Sequence, residues 1–180
     1  MKKFDYKRLS EIKKDKTESE LNYADLLSTT EWKEFRDEIV KRDEWNCQKC
    51  GERSNELAWE LKGSTPADIY VRRATKTEKK ISDEEVIYSS KPVTLNAHHK
   101  YYIKNKNPWE YNPNALITVC SKCHTKIHET EKILIYDNDK LENPKIAQKC
   151  SKCSGTGYLD QFHYFMSGIC FDCNGKGTLE

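Results

Sequence analysis

The chain has 180 residues, 36% hydrophobic and 33% charged, with a formal net charge of +2 and a mean hydropathy of −0.92. No apolar run approaches the length of a membrane span, and the near-neutral balance does not by itself call for a polyanionic partner. The apolar share is lean for a core of this size, so something besides hydrophobic burial is expected to help hold the fold.

Eight cysteines are available for that role. They come as four Cys-x-x-Cys pairs, Cys47/Cys50, Cys120/Cys123, Cys150/Cys153 and Cys170/Cys173, with none left over. The opening stretch MKKFDYKRLSEIKKDK lacks the apolar segment of a signal peptide, which predicts a cytoplasmic or otherwise reducing address. In such a compartment paired thiols are metal ligands rather than disulfides.

Residues 1–27 form a charged N-terminal arm. Within it Thr17-Glu18-Ser19-Glu20 fits a capping box and predicts a short helix running to about Leu27. Ser28-Thr29-Thr30-Glu31 fits a second box, and behind it Trp32, Phe35, Ile39 and Val40 fall at i, i+3, i+7 and i+8, one face of an amphipathic helix. The pattern breaks at Asp43–Asn46. Cys47-Gln-Lys-Cys50-Gly51 then reads as a zinc knuckle, two thiolates gripping one ion while Gly51 turns the chain.

Residues 52–95 read as a β insertion. Leu57, Trp59 and Leu61 alternate, Gly63–Pro66 signals a turn, and Ile69 and Val71 alternate again. Arg72–Glu85 is a polar, basic loop or hairpin tip, and Val86–Tyr88 is a further strand. Val93–Ala97 predicts a strand closed by His98-His99, two neighbours that must point to opposite faces. After a loop carrying Pro108–Pro113, Ala115–Val119 predicts its partner strand. Cys120-Ser-Lys-Cys123-His124 then turns into a helix reaching about Lys132. His124 and His128 are i, i+4 on that helix and share a face, a standard way to hold a divalent ion. Cys120 and Cys123 need two more soft ligands, which Cys47 and Cys50 can supply.

Residues 137–149 read as a turn-rich linker. Beyond it lies an internal repeat, Cys150-Ser-Lys-Cys153-Ser-Gly155-Thr-Gly157 and Cys170-Phe-Asp-Cys173-Asn-Gly175-Lys-Gly177, whose spacing is that of a four-thiolate zinc site. Its glycines allow turns that aim backbone amides at the sulfurs. Tyr158, Phe162, Tyr164 and Phe165 are expected to pack this module (150–180), with His163 a bystander.

Taken together, Thr30-Glu-Trp-x-x-Phe-Arg-x-x-Ile-Val-x-Arg-Asp43, Trp-Asn-Cys-Gln-Lys-Cys-Gly, Ala-His-His-Lys-Tyr-Tyr, Pro-Trp-Glu-Tyr and Leu-Ile-Thr-Val-Cys-x-x-Cys-His-x-x-x-His resemble an HNH endonuclease domain. The likeness covers Trp32–His128. It implies an α+β fold over residues 28–136, with a ββα-metal (His-Me finger) core, a leading helix and the β insertion. It implies a structural zinc on Cys47, Cys50, Cys120 and Cys123, with His99 as general base. His98, His124 and His128 would hold a catalytic Mg²⁺, Mn²⁺ or other divalent ion. The family's middle Asn stands directly before the leucine of the second strand, where this chain has Ala115; Asn114, one residue earlier, is taken as its equivalent. DNA is the implied substrate, with RNA not excluded and no membrane involved, and Arg36, Lys100 and Lys104 are candidate nucleic-acid contacts. The C-terminal repeat resembles the zinc module of DnaJ-type chaperones, which implies a second structural zinc on Cys150, Cys153, Cys170 and Cys173. No J-domain His-Pro-Asp accompanies it. The rival reading is a catalytically inactive zinc protein that binds nucleic acid, or a chaperone-like interaction protein.

Overall fold

The computed structural model describes residues 6–57, 70–73, 86–89, 91–162 and 168–179. Trp59, Leu61, the Gly63–Pro66 turn, Ile69, the stretch 74–85, His163, Tyr164 and Phe165 lie outside the described residues. What is described is a mixed α+β chain with small sheets and two four-cysteine clusters.

The arm carries two short helices, α1 (Leu9–Asp15) and α2 (Tyr23–Leu27). Half of the Thr17–Glu20 box forms, with the Glu20 carboxylate accepting from the Thr17 amide and hydroxyl at 2.8 and 2.7 Å, while the Glu20 amide donates to the Thr17 carbonyl and closes only a turn. The helix behind it starts later, capped by Asn22, which accepts from the Asp25 amide at 2.9 Å. α1 has no apolar period to announce it. It is held from outside, because Glu31 on the next helix accepts the Leu9 amide at 3.2 Å and Thr30 donates to the Lys7 carbonyl at 2.9 Å.

That next helix, α3 (Thr30–Arg42), is the predicted amphipathic one, with its cap shifted by one residue. Thr29, not Ser28, accepts the Trp32 amide, at 3.1 Å. The shift frees Glu31 from a capping role, and it serves α1 instead. Trp32 and Ile39 enter one apolar cluster with Ile103, Tyr111, Ala115 and Leu116. Val40 enters the adjoining one with Cys47, Leu95, Val119, Cys120 and Ile127. At its end Asp43 accepts the Thr118 amide at 2.9 Å and both arms of the Arg42 guanidinium at 2.8 Å. Arg42 also donates to the carbonyls of Pro113 and Leu116. One ion pair thus ties the helix to the strand beneath it.

In chain order the strands are β1 (Glu56–Leu57), β2 (Tyr70–Arg73), β3 (Val86–Ser89), β4 (Leu95–His99), β5 (Tyr102–Ile103) and β6 (Leu116–Cys120). Helix α4 (Ser121–Thr130) follows β6 directly, and β7 (Leu134–Tyr136), β8 (Lys145–Ile146), β9 (Gln148–Lys149) and β10 (Thr178–Leu179) complete the chain. The insertion builds the antiparallel order β1-β2-β3. β4 and β6 pair antiparallel with Leu95 opposite Cys120 and His99 opposite Leu116. β7 pairs parallel with β5 and antiparallel with β8, so the 137–144 turns connect two strands of one sheet. β9 pairs with β10 across the C-terminal repeat.

The candidate metal centres and the histidine site

Cys47 and Cys50 sit on the turn after α3, while Cys120 ends β6 and Cys123 lies in the first turn of α4. The register of β6 brings the pairs together, since the Gln48 amide donates to the Thr118 carbonyl at 2.8 Å. Gly51, at φ +78°, folds its amide back onto the Cys47 carbonyl at 2.8 Å, in a region that favours glycine. The four ligand atoms lie within 4.8 Å of one another, as do those of Cys150, Cys153, Cys170 and Cys173.

The sulfur spacing decides between a disulfide and a metal cage. Bonded sulfurs stand about 2.05 Å apart. Four sulfurs at about 2.3 Å from a tetrahedral zinc stand about 3.8 Å apart. Cys50 and Cys120 are separated by 3.7 Å, and Cys150–Cys170 and Cys153–Cys173 by 3.8 Å. These three separations match an edge of a zinc tetrahedron, and both clusters are compatible with structural zinc.

Acidities point the same way. Burial raises the Cys47 thiol, but amide hydrogen bonds from Cys120, Cys50 and Lys49 outweigh it and bring the pKa down to about 7. Cys123 is pushed up to about 12 by burial and its thiol neighbours, and Cys173 likewise to about 12. The first proton leaves easily and the later ones resist, because negative charge accumulates in one cage unless a cation neutralises it.

In the C-terminal module the expected amide–sulfur contacts are present twice. Gly157 donates to Cys153 Sγ and Gly177 to Cys173 Sγ, both at 3.2 Å, from residues at φ +73° and +76°. The repeats clasp each other, Cys150 donating to the Gly177 carbonyl at 2.9 Å and Cys170 to that of Gly157 at 2.8 Å. Phe162 and Leu159 pack on the cysteines, whereas Tyr158 is 44% exposed.

A third cluster joins His98 from β4 to His124 and His128 from α4. The three rings meet edge to face, with centroids 4.6 to 5.1 Å apart and interplanar angles of 78° to 89°. Nε2 of His124 and Nε2 of His128 are 3.2 Å apart. Burial first, then mutual repulsion, lowers His98 to about 3 and His124 to about 4, and burial followed by the Lys149 charge lowers His128. All three are therefore neutral donors at pH 7, the form a metal requires. Nδ1 of His128 is buried without a fully formed hydrogen bond, and the main chain of Gly155 approaches the ring from the C-terminal module. The donor set and its convergence fit a divalent ion.

His99 faces the other way, as neighbours on a strand must. Its ring stacks on Trp32 of α3 at 5.4 Å and meets Tyr111 edge-on at 4.6 Å. Nε2 lies 2.9 Å from the Pro108 carbonyl. A carbonyl only accepts, so Nε2 carries the proton of the neutral ring and Nδ1 keeps the lone pair. Burial lowers this imidazole to about 4, with the Pro108 bond opposing. His98, His99 and His128 together line a cavity of ≈ 20 Å³.

Asn114 is exposed in the short 3₁₀ turn Pro113–Ala115, and its carbonyl accepts the Lys100 ammonium at 2.9 Å. Arg36 turns inward, donating to the Leu95 carbonyl at 2.8 Å, and Lys104 pairs with Asp137 at 2.7 Å. The structure thus brings together the eleven residues assigned to the cysteine and histidine clusters. It sets His99 beside them and leaves Asn114, Arg36 and Lys104 in contacts of their own. The Pro108 carbonyl and Lys149 have no sequence signature, since one is a main-chain atom and the other an ordinary lysine.

No family model, curated protein or solved structure matches the chain. Among the described residues no helix is long and apolar enough to cross a membrane.

Proposed function

We propose that the chain is a metal-dependent HNH endonuclease that hydrolyses DNA phosphodiester bonds, with β4, β6 and α4 as its ββα-metal core and the two cysteine clusters as structural zinc sites. The observation that carries this reading is the division of labour at His98-His99. One imidazole converges with His124 and His128, its neighbour turns to the other face of the strand, and both residues border one small cavity.

His98, His124 and His128 would hold the divalent ion. When bound, such an ion acts as a Lewis acid on the phosphate and stabilises charge on the leaving oxygen. His99 accepts the proton of the attacking water at Nδ1, while the Pro108 carbonyl fixes its tautomer through Nε2. With a pKa lowered to about 4 by burial, the ring is neutral at pH 7 and its Nδ1 lone pair is free, at reduced basicity. A cavity of ≈ 20 Å³ has room for one water beside it. The main-chain carbonyl at Asn114 accepts from Lys100, the residue after the base, and ties that loop to the end of β4 without using the Asn114 side chain.

The test is plasmid cleavage with EDTA, Mg²⁺, Mn²⁺ and Zn²⁺ in separate reactions. His99→Ala is expected to lose nicking by about 10²–10⁴-fold while keeping its zinc and its fold, with a lowered Tm because a buried ring against Trp32 and Tyr111 is removed. Undiminished nicking by that variant would refute the assignment.

A further inference from the structure

The C-terminal zinc module has no part in the chemistry proposed above, yet it touches the metal-binding helix at one significant point. Lys149 of β9 stands one residue before the zinc ligand Cys150. Its half-buried side chain crosses to the end of α4, where Nζ donates to the carbonyl of His128 and, at 3.1 Å, to that of Glu129. These are last-turn carbonyls with no partner within the helix, at the end where the helix dipole is negative. A side chain at Gly155 would meet the Lys149 stem at 3.4 Å and the His128 carbonyl at 3.5 Å, so the glycine leaves that space to the lysine.

His128 needs such help. A metal-ligating histidine is ordinarily oriented by a hydrogen bond on its other ring nitrogen. Here Nδ1 of His128 is buried without a fully formed bond, and besides the approach of the Gly155 main chain to the ring, its aim is set by the main chain that carries it. That main chain is what Lys149 holds. Lys149 is itself held on both sides, by its pairing with Thr178 in β10 and by the Cys150 amide donating to the Gly177 carbonyl at 2.9 Å.

We propose that Lys149 is a positioning residue for the histidine metal centre, through which the C-terminal zinc module aims His128. The proposal rests on reading His98, His124 and His128 as a metal centre, and it is independent of whether that centre cleaves DNA. It gives the appended module a role: its zinc fixes Cys150, Cys150 fixes Lys149, and Lys149 fixes the last turn of α4.

The experiment uses the full chain with zinc in both cysteine clusters, titrated with Co²⁺. Cobalt held by imidazoles absorbs through its d–d bands without the sulfur charge-transfer bands of a thiolate site, so the histidine centre is read separately. Lys149→Met is expected to bind Co²⁺ about tenfold more weakly and with altered d–d intensity, while retaining two zincs. Lys149→Arg, which also donates to two carbonyls, should restore wild-type affinity. Affinity and spectrum unchanged in Lys149→Met would overturn the positioning role, as would a failure of Lys149→Arg to rescue. A wild-type chain that takes up no Co²⁺ on imidazole would overturn the metal-centre reading itself, a separate and recognisable result.

Discussion

Asp43 offers the sharpest test of how α3 is fastened to β6, the strand that ends at Cys120. Its side chain is 10% exposed, accepts the amide of the fully buried Thr118 at 2.9 Å, and takes a two-point grip from Arg42. Asp43→Ala removes the acceptor and strands the Thr118 amide away from water. An unsatisfied buried donor costs about 1–3 kcal/mol, to which the lost Arg42 pair adds less because Arg42 is 36% exposed. A loss of about 2 kcal/mol is expected, which for a chain of this length lowers Tm by about 4–8 °C. Asp43→Asn keeps an oxygen for Thr118 and should lose about half as much.

The pH dependence follows from the carboxyl's acidity. Burial raises the Asp43 pKa, but the hydrogen bonds from Arg42 and Thr118 outweigh it and hold the group below its ordinary value. A depressed carboxyl stabilises the fold fully above the unfolded pKa of about 3.9 and loses that contribution as pH falls through the folded value. The gap between wild type and Asp43→Ala should therefore be constant from pH 7 to about 5 and shrink only in stronger acid. Thermal melts with zinc held in excess measure it. A gap below about 0.5 kcal/mol at pH 7 would refute the account, because that is the size of an unremarkable surface change.

Three further outcomes are expected. Zinc analysis should find two tightly bound ions per chain, and a competing chelator should strip the Cys47/Cys50/Cys120/Cys123 cluster first. Cys50 there is exposed, whereas all four cysteines of the second cluster are buried; simultaneous release would contradict this. Thr29→Ala removes the cap of α3 and should cost about 1 kcal/mol by denaturant melt, while Ser28→Ala should cost less, because Ser28 does not cap the helix. Leu116→Ala, at a side chain 1% exposed beneath Trp32 and Ile39, should cost about 2–5 kcal/mol.

The local rules carried well where one short segment holds all the information. The four Cys-x-x-Cys pairs, the i, i+4 histidines and the apolar face of α3 depend on spacing along a turn or a helix, and each takes the place its spacing implies. The opposite aims of His98 and His99 follow from strand geometry alone, and α4 and Trp32 are found on the two sides accordingly. The rules failed where a local motif had a competitor. Both capping boxes are present in the letters, yet Asn22 caps α2 through its own reciprocal bonds with Asp25, and Thr29 caps α3 while Glu31 accepts from a helix that has no signal of its own. The turn-rich stretch 137–144 reads as a linker, but β7 and β8 on either side of it share a sheet.

Spacing by itself determined which residues can bind metal and which neighbours must face apart, because thiolate reach, helix pitch and strand pleat are properties of a few bonds. Pairing Cys47/Cys50 with Cys120/Cys123 took a 2.8 Å bond from Gln48 to Thr118, across seventy residues of chain. Bringing His98 to His124 and His128 took the register of β4 on β6. Fixing the tautomer of His99 took the carbonyl of Pro108, and gripping the end of α4 took a lysine from another module. Those are contacts between main-chain atoms and distant side chains, and only the folded chain decides which of many equivalent carbonyls and lysines will meet.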